Sequence, residues 1–193
     1  MRALIVLASL ALAAPAVGQD TAGAAIKAFG LVGTWMPECR ADVRVGCEMT
    51  PPGAKKEGWM CGGKLFEELP QRTVFAVPAS GPAMRTSTVA SPVPGRPPVT
   101  STWPIQSAAP LGADRLKLRV TMTGDDIQRP PGRPENKDKG VVFDIVLLKK
   151  DGRMRTMDFA SVDGGRVHVK DGFMYIDGAR QTWQTPAFER CGS

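Results

Sequence analysis

The chain has 193 residues and a formal net charge of +6, with 42% hydrophobic and 23% charged residues, enough chain to bury a real core as one domain. A single histidine and four cysteines without a C-x-x-C spacing leave zinc binding and haem attachment without a recognisable ligand set. The basic balance favours anionic partners in general and identifies none, and basic residues without interleaved aromatics give no nucleic-acid signature.

Met1-Arg2 supplies a positive start, Ala3 to Ala14 is an apolar run, and Ala16-Val17-Gly18 is a small-residue cleavage site. These are the parts of a secretory signal peptide. The run before Pro15 is roughly 12 residues, short of the ~20 a membrane anchor needs. Residues 1–18 therefore read as a leader and residues 19–193 as a single domain, periplasmic or secreted, with no transmembrane anchor after processing. Cys39, Cys47, Cys61 and Cys191 all lie in the exported part, where disulfides form. Three pairings are possible. The favoured one joins Cys47 to Cys61 across a local Pro/Gly-rich loop and Cys39 to Cys191, tying the first strand to the chain's end.

Residues 19–28 can form one or two helical turns with Thr21 as N-cap, ending at Gly30. Phe29 to Cys39 follows as an apolar strand start carrying Gly33-Thr34-Trp35. The segment from Cys39 to Cys61, broken by Pro51-Pro52-Gly53 and Gly62-Gly63, reads as a stapled excursion outside any ladder. Thr73 to Val77 and Ala83 to Ala90 are candidate strands around Ser80-Gly81-Pro82, and Ser91 to Pro98 is a proline-rich loop. Val99 to Gln106 is an extended run that Pro104 should restrict to a sheet edge.

Arg115 to Met122 alternates strictly, with Leu116, Leu118, Val120 and Met122 on one face. Arg129 to Lys139 is loop by composition, and Gly140 to Lys149 is apolar on both phases, as a strand covered on both faces would be. Turns at Asp151-Gly152, Asp163-Gly164-Gly165 and Asp171-Gly172 join the next short runs into an antiparallel meander. The sum is an all-β fold, a single antiparallel barrel of about eight strands with a short N-terminal helix, since closure removes exposed edges. A two-sheet sandwich is the alternative.

Catalytic patterns are missing. His168 alternates with Val167 and Val169 beside Arg166 and Lys170 and carries no surrounding motif; Ser161 and Asp158 supply no triad pattern. The methionines are scattered and suit core filling rather than copper binding. No enzyme activity, metal or cofactor is expected. Arg115, Lys117 and Arg119 head a basic outer face. Trp35, Trp59, Trp103 and Trp183 are large anchors for a barrel interior or a pocket.

A short helix leading into Gly33-Thr34-Trp35 resembles the first block of lipocalin-type barrels. The tail from Gly164 to Cys191, with Trp183, resembles that of uncharacterised exported proteobacterial proteins that pair a leading "GTW…C" with a trailing "DG…G…TPW…C". The second lipocalin signature, a Thr-Asp-Tyr-type turn, is absent; the nearest string is Met174-Tyr175-Ile176-Asp177. The resemblance implies a lipocalin-like barrel whose tryptophan packs at the closed end, with a late basic residue, Arg190 or Lys170, over it. It implies a clasp of two halves, Gly33 to Cys39 and Trp183 to Cys191. The expectation is a non-enzymatic barrel that binds a small apolar or amphipathic molecule, with Trp35 at the base and Leu118, Phe143 and Phe159 inside. The alternative is an envelope interaction protein whose basic face, Arg115, Lys117 and Arg119, meets an anionic polymer or protein.

Overall fold

The computed structural model describes residues 17–123 and 140–192. Most of the expected leader and the loop Arg129 to Lys139 lie outside the described residues.

The first element is helix α1 (Val17–Ala28). Ala22 and Ile26, one turn apart, are both fully buried, so docking fixes the helix face. Nothing between residues 18 and 20 breaks helical geometry, and the helix starts upstream of Thr21, which is therefore an interior residue and not the N-cap. The C-terminus does end at Gly30, with φ 72°. The Gly30 N–H donates to Lys27 O and the Leu31 N–H to Ile26 O, at 2.9 and 3.1 Å. These are the two bonds of a Schellman motif, and Ile26 and Leu31 supply its apolar contact. Lys149 Nζ donates to the Phe29 carbonyl at 2.6 Å, placing a cation at the negative end of the helix dipole.

Fourteen strands follow among the described residues. Strand β1 (Gly33–Met36) leads into a small sheet of β2 (Cys47–Met49), β3 (Trp59–Cys61) and β4 (Lys64–Phe66). Next come β5 (Gln71–Ala76), β6 (Met84–Val89), β7 (Val99–Pro110), β8 (Arg115–Thr121), β9 (Val142–Lys150) and β10 (Arg153–Ser161). The chain finishes with β11 (Val167–Lys170), β12 (Phe173–Ile176), β13 (Ala179–Gln184) and β14 (Ala187–Cys191). Eight of these close into one antiparallel barrel in the order β1, β5, β6, β7, β8, β9, β10, β14 and back to β1. The eight-stranded barrel is the expected fold, and the sandwich is set aside.

Strand β10 forks. Its whole length pairs with β9, its first residues pair with β14, and Phe159 pairs with Val169 of β11. The meander β11, β12 and β13 thus extends the sheet beyond the closed barrel. Asp151-Gly152, Asp171-Gly172 and Asp177-Gly178 each hold both residues at positive φ, the requirement of a type I′ hairpin turn, which Asp-Gly meets at low strain. Asp163-Gly164 turns with only the glycine positive.

Three further expectations change. Pro104 lies inside β7, which pairs on both sides with β6 and β8. Ile105 N–H donates to Ala83 O on the β6 side, so the Pro104 nitrogen faces β8. Pairing with β8 begins only at Ile105, and no ladder bond is lost. The Cys-bounded segment does form a ladder, the small sheet with Cys47 opposite Cys61, and its own cluster of Cys47, Cys61, Phe66 and Ala90. Strand β9 is buried at Phe143, Ile145 and Leu147 and only half-buried on the alternate phase, because no described residue layers over the outer barrel wall there.

The barrel core gathers Trp35, Phe75, Ile105, Leu116, Leu118, Val120, Ile145 and Leu147, all at most 2% exposed. Ile26 of helix α1 and Leu31 just beyond it join the same cluster, and the helix plugs one end of the barrel. Two open clefts of about 360 Å³ flank it, one against Val77 to Gly81 and one against Pro110, Gly112 and Lys149. Disulfides join Cys39 to Cys191 and Cys47 to Cys61. The first ties the residues just beyond β1 to the end of β14, where Thr34 already pairs with Cys191.

Candidate ligand-binding site

Alternation along each strand assigns the inner wall. Register sets Gly33 opposite Phe75, Phe75 opposite Arg85, and Arg85 opposite Trp103. One pair further along, Trp35, Thr73, Ser87 and Ser101 share a row. Residues opposite each other in a ladder point to the same side, and buried Phe75 and Trp103 mark that side as the interior. The walls therefore differ: β5 to β7 place Thr73, Arg85, Ser87 and Ser101 inward, whereas β8 to β10 place Leu116, Leu118, Val120, Phe143, Ile145, Leu147 and Phe159 there.

At the junction of the two walls stand three aromatic rings. Trp103 stacks on Phe143 with centroids 5.5 Å apart, Phe143 on Phe159 at 4.8 Å, and Trp103 meets Phe159 at 5.9 Å. The Arg85 guanidinium lies over the Trp103 ring, 5.0 Å from its centroid. Desolvation of this half-buried side chain draws the Arg85 pKa down to about 10, with no charged neighbour among the described residues acting on it. The group remains a cation at neutral pH. Trp103 is 6% exposed, and its Nε1–H is buried without a hydrogen-bond partner.

The residues singled out from sequence divide between this interior and the surface. Trp35, Leu118, Phe143 and Phe159 belong to one cluster. Trp35 lies below the helix plug and donates from Nε1 to Leu31 O at 2.7 Å. Leu118 is fully buried in the packed part of the core, while Phe143 and Phe159 belong to the aromatic trio. Arg190 pairs with Trp35 in register and donates from Nη2 to Val32 O at 2.7 Å. Its guanidinium crosses Gly33, where an added Cβ would stand 3.1 Å from Nε. Lys170 is in the outlying meander.

On the outer wall, Lys117 and Arg119 both close on Asp144, at 2.9 and 2.8 Å. The Arg119 hydrogen bond, helped by Lys117 and opposed by partial burial, pulls the Asp144 pKa down to about 2. Arg115 stands exposed at the strand's start. Trp183 is 41% exposed on β13. The far half of the clasp is β14 with Phe188, Arg190 and Cys191 rather than the tryptophan, because β13 pairs only with the meander. His168 stacks on Tyr175 with centroids 5.0 Å apart, a cross-strand pair of that same meander.

Arg85 is the interior residue that sequence reasoning passes over. Its strand, Met84 to Val89, lacks hydrophobic alternation, and only the pairing of β5, β6 and β7 shows which phase faces inward. No family model, curated protein or solved structure matches the chain.

Proposed function

We propose that the protein is a non-enzymatic, periplasmic carrier that holds a small amphipathic molecule inside the barrel. The observation that carries this reading is the split interior, in which the Trp103, Phe143 and Phe159 rings adjoin a wall bearing Arg85, Ser87 and Ser101. Ligand pockets commonly combine apolar and aromatic lining with a few placed polar groups. With the helix at one end of the closed barrel, a ligand would enter from the other, as in lipocalin-type cups.

Two disulfides suit an oxidising, non-cytoplasmic compartment, and among the described residues no helix is long and apolar enough to cross a membrane. Export to the periplasm rests on the leader read from residues 1–18. Intact mass of protein recovered from periplasm should begin at Gln19.

The binding reading is tested with N-phenyl-1-naphthylamine, a neutral apolar fluorophore. The expected result is saturable enhancement that Phe159→Ala weakens. Absence of saturable binding by the intact, oxidised protein would sink it. The alternative, an anionic envelope polymer or protein on Arg115, Lys117 and Arg119, draws less support because Asp144 already neutralises part of that face.

A further inference from the structure

We propose that the inner wall of β6 and β7 is a seat for a carboxylate. Arg85 and the Trp103 Nε1–H hold the head of a monoanionic amphiphile whose apolar body lies against Phe143 and Phe159. This rests on the ligand-binding reading above and names the class of ligand.

The argument is one of unmatched donors. Buried polar groups are nearly always paired, yet the Trp103 Nε1–H is buried without an acceptor, and the half-buried Arg85 guanidinium stands directly over its ring. Here two donors share one stack, the guanidinium 5.0 Å above the ring whose own N–H has no acceptor. Among the described residues no carboxylate forms an ion pair with Arg85. Asp144, which pairs in register with Arg119 on the outer face, is occupied by Arg119 and Lys117. Two donors with no acceptor among the described residues call for a group that only accepts. A carboxylate does so, and it pairs with guanidinium in a charge-assisted, planar geometry. Ser87 and Ser101, next along the same inner rows, add hydroxyls beside the head.

Arg85 is half-buried, and its desolvation leaves it a cation at neutral pH while excluding part of the water that would screen it. An anion there is held more strongly than one at the surface. The Arg119–Asp144 side of the barrel has no such vacancy, since its charges face out and are already joined.

Displacement of N-phenyl-1-naphthylamine separates the head from the tail. Decanoate and decan-1-ol share a chain and differ in charge. For the wild-type protein the carboxylate should displace the probe at a concentration lower by about tenfold or more, the scale of a hydrogen-bonded charge pair. Arg85→Met should abolish that preference and leave decan-1-ol unchanged; Arg85→Lys should restore part of it. Trp103→Phe should weaken decanoate more than decan-1-ol. Equal displacement by the two compounds, or an unchanged ratio in Arg85→Met, overturns the carboxylate seat and leaves the carrier reading standing. If the probe itself does not bind, both fall. The wild-type ratio decides the matter without any variant, should Arg85→Met fail to fold.

Discussion

Replacing Cys39 and Cys191 together by serine removes the longer of two cross-links and measures what closes the barrel. The bond spans 152 residues of sequence. In the chain-entropy treatment of cross-links, freeing a loop of that length returns about 5 kcal/mol of disorder to the unfolded chain at room temperature. The Cys47–Cys61 bond spans 14, and the same treatment gives about 3 kcal/mol. Little else in the folded state changes. Thr34 and Cys191 remain ladder partners, and the Cys39 N–H still donates to Glu189 Oε1 at 2.9 Å. A domain of this size is stable by only ~5–15 kcal/mol, so the loss removes at least about a third of that stability. Urea denaturation of both double-serine variants, followed by tryptophan fluorescence in one buffer, reads the difference. The outer variant should be the less stable by about 2 kcal/mol. If it equals or exceeds the stability of the inner variant, loop entropy does not govern closure, and the β1–β14 ladder holds the barrel unaided.

Leu118→Ala, at a fully buried position, should cost about 3–4 kcal/mol with the far-ultraviolet spectrum retained, checked by the same denaturation assay. Trp35→Phe removes the donor to Leu31 O and should cost about 2 kcal/mol, read as a lower melting temperature with no change in oxidised thiols. Asp144 is held to about 2 from 3.8, so it stabilises the fold above its unfolded value, and the contribution disappears as pH falls through 2. With its cations roughly two-fifths exposed, screening leaves about 1 kcal/mol. Urea curves at mildly and strongly acid pH should show a loss in wild type that Asp144→Asn lacks; parallel losses would contradict the assignment.

Much of the barrel is legible because its strongest signals are local. The alternation of Leu116, Leu118 and Val120 appears as three fully buried residues, and Asp-Gly pairs fall at hairpin turns since few other dipeptides accept two positive φ values. Cysteine spacing leaves three pairings open, and the favoured one, a local loop from Cys47 to Cys61 within a tie from the first strand to the chain's end, is the one that forms. Legibility ends where facing depends on a neighbour. Pro104 is tolerated inside a sheet through the direction of one nitrogen. Arg85 and Trp103 meet across β6 and β7, 18 residues apart in sequence, and neither strand alone says that a cation points inward. Trp183 is exposed for the converse reason: its strand pairs within a meander that has no second layer.

The nested cysteines bear on the order in which this chain can be made. Emerging from its N-terminus, the protein presents Cys39 and Cys47 first, and these two are not partners. Oxidation in order of appearance would join them and strand Cys61 and Cys191. The native outer bond cannot form until residue 191 has arrived, and β14, which fills the gap between β10 and β1, arrives with it. Productive folding therefore calls for delayed oxidation or for exchange of an early, wrong bond through thiolate attack. Where oxidation is not delayed until residue 191 has arrived, biogenesis should depend on a disulfide isomerase as well as on an oxidant.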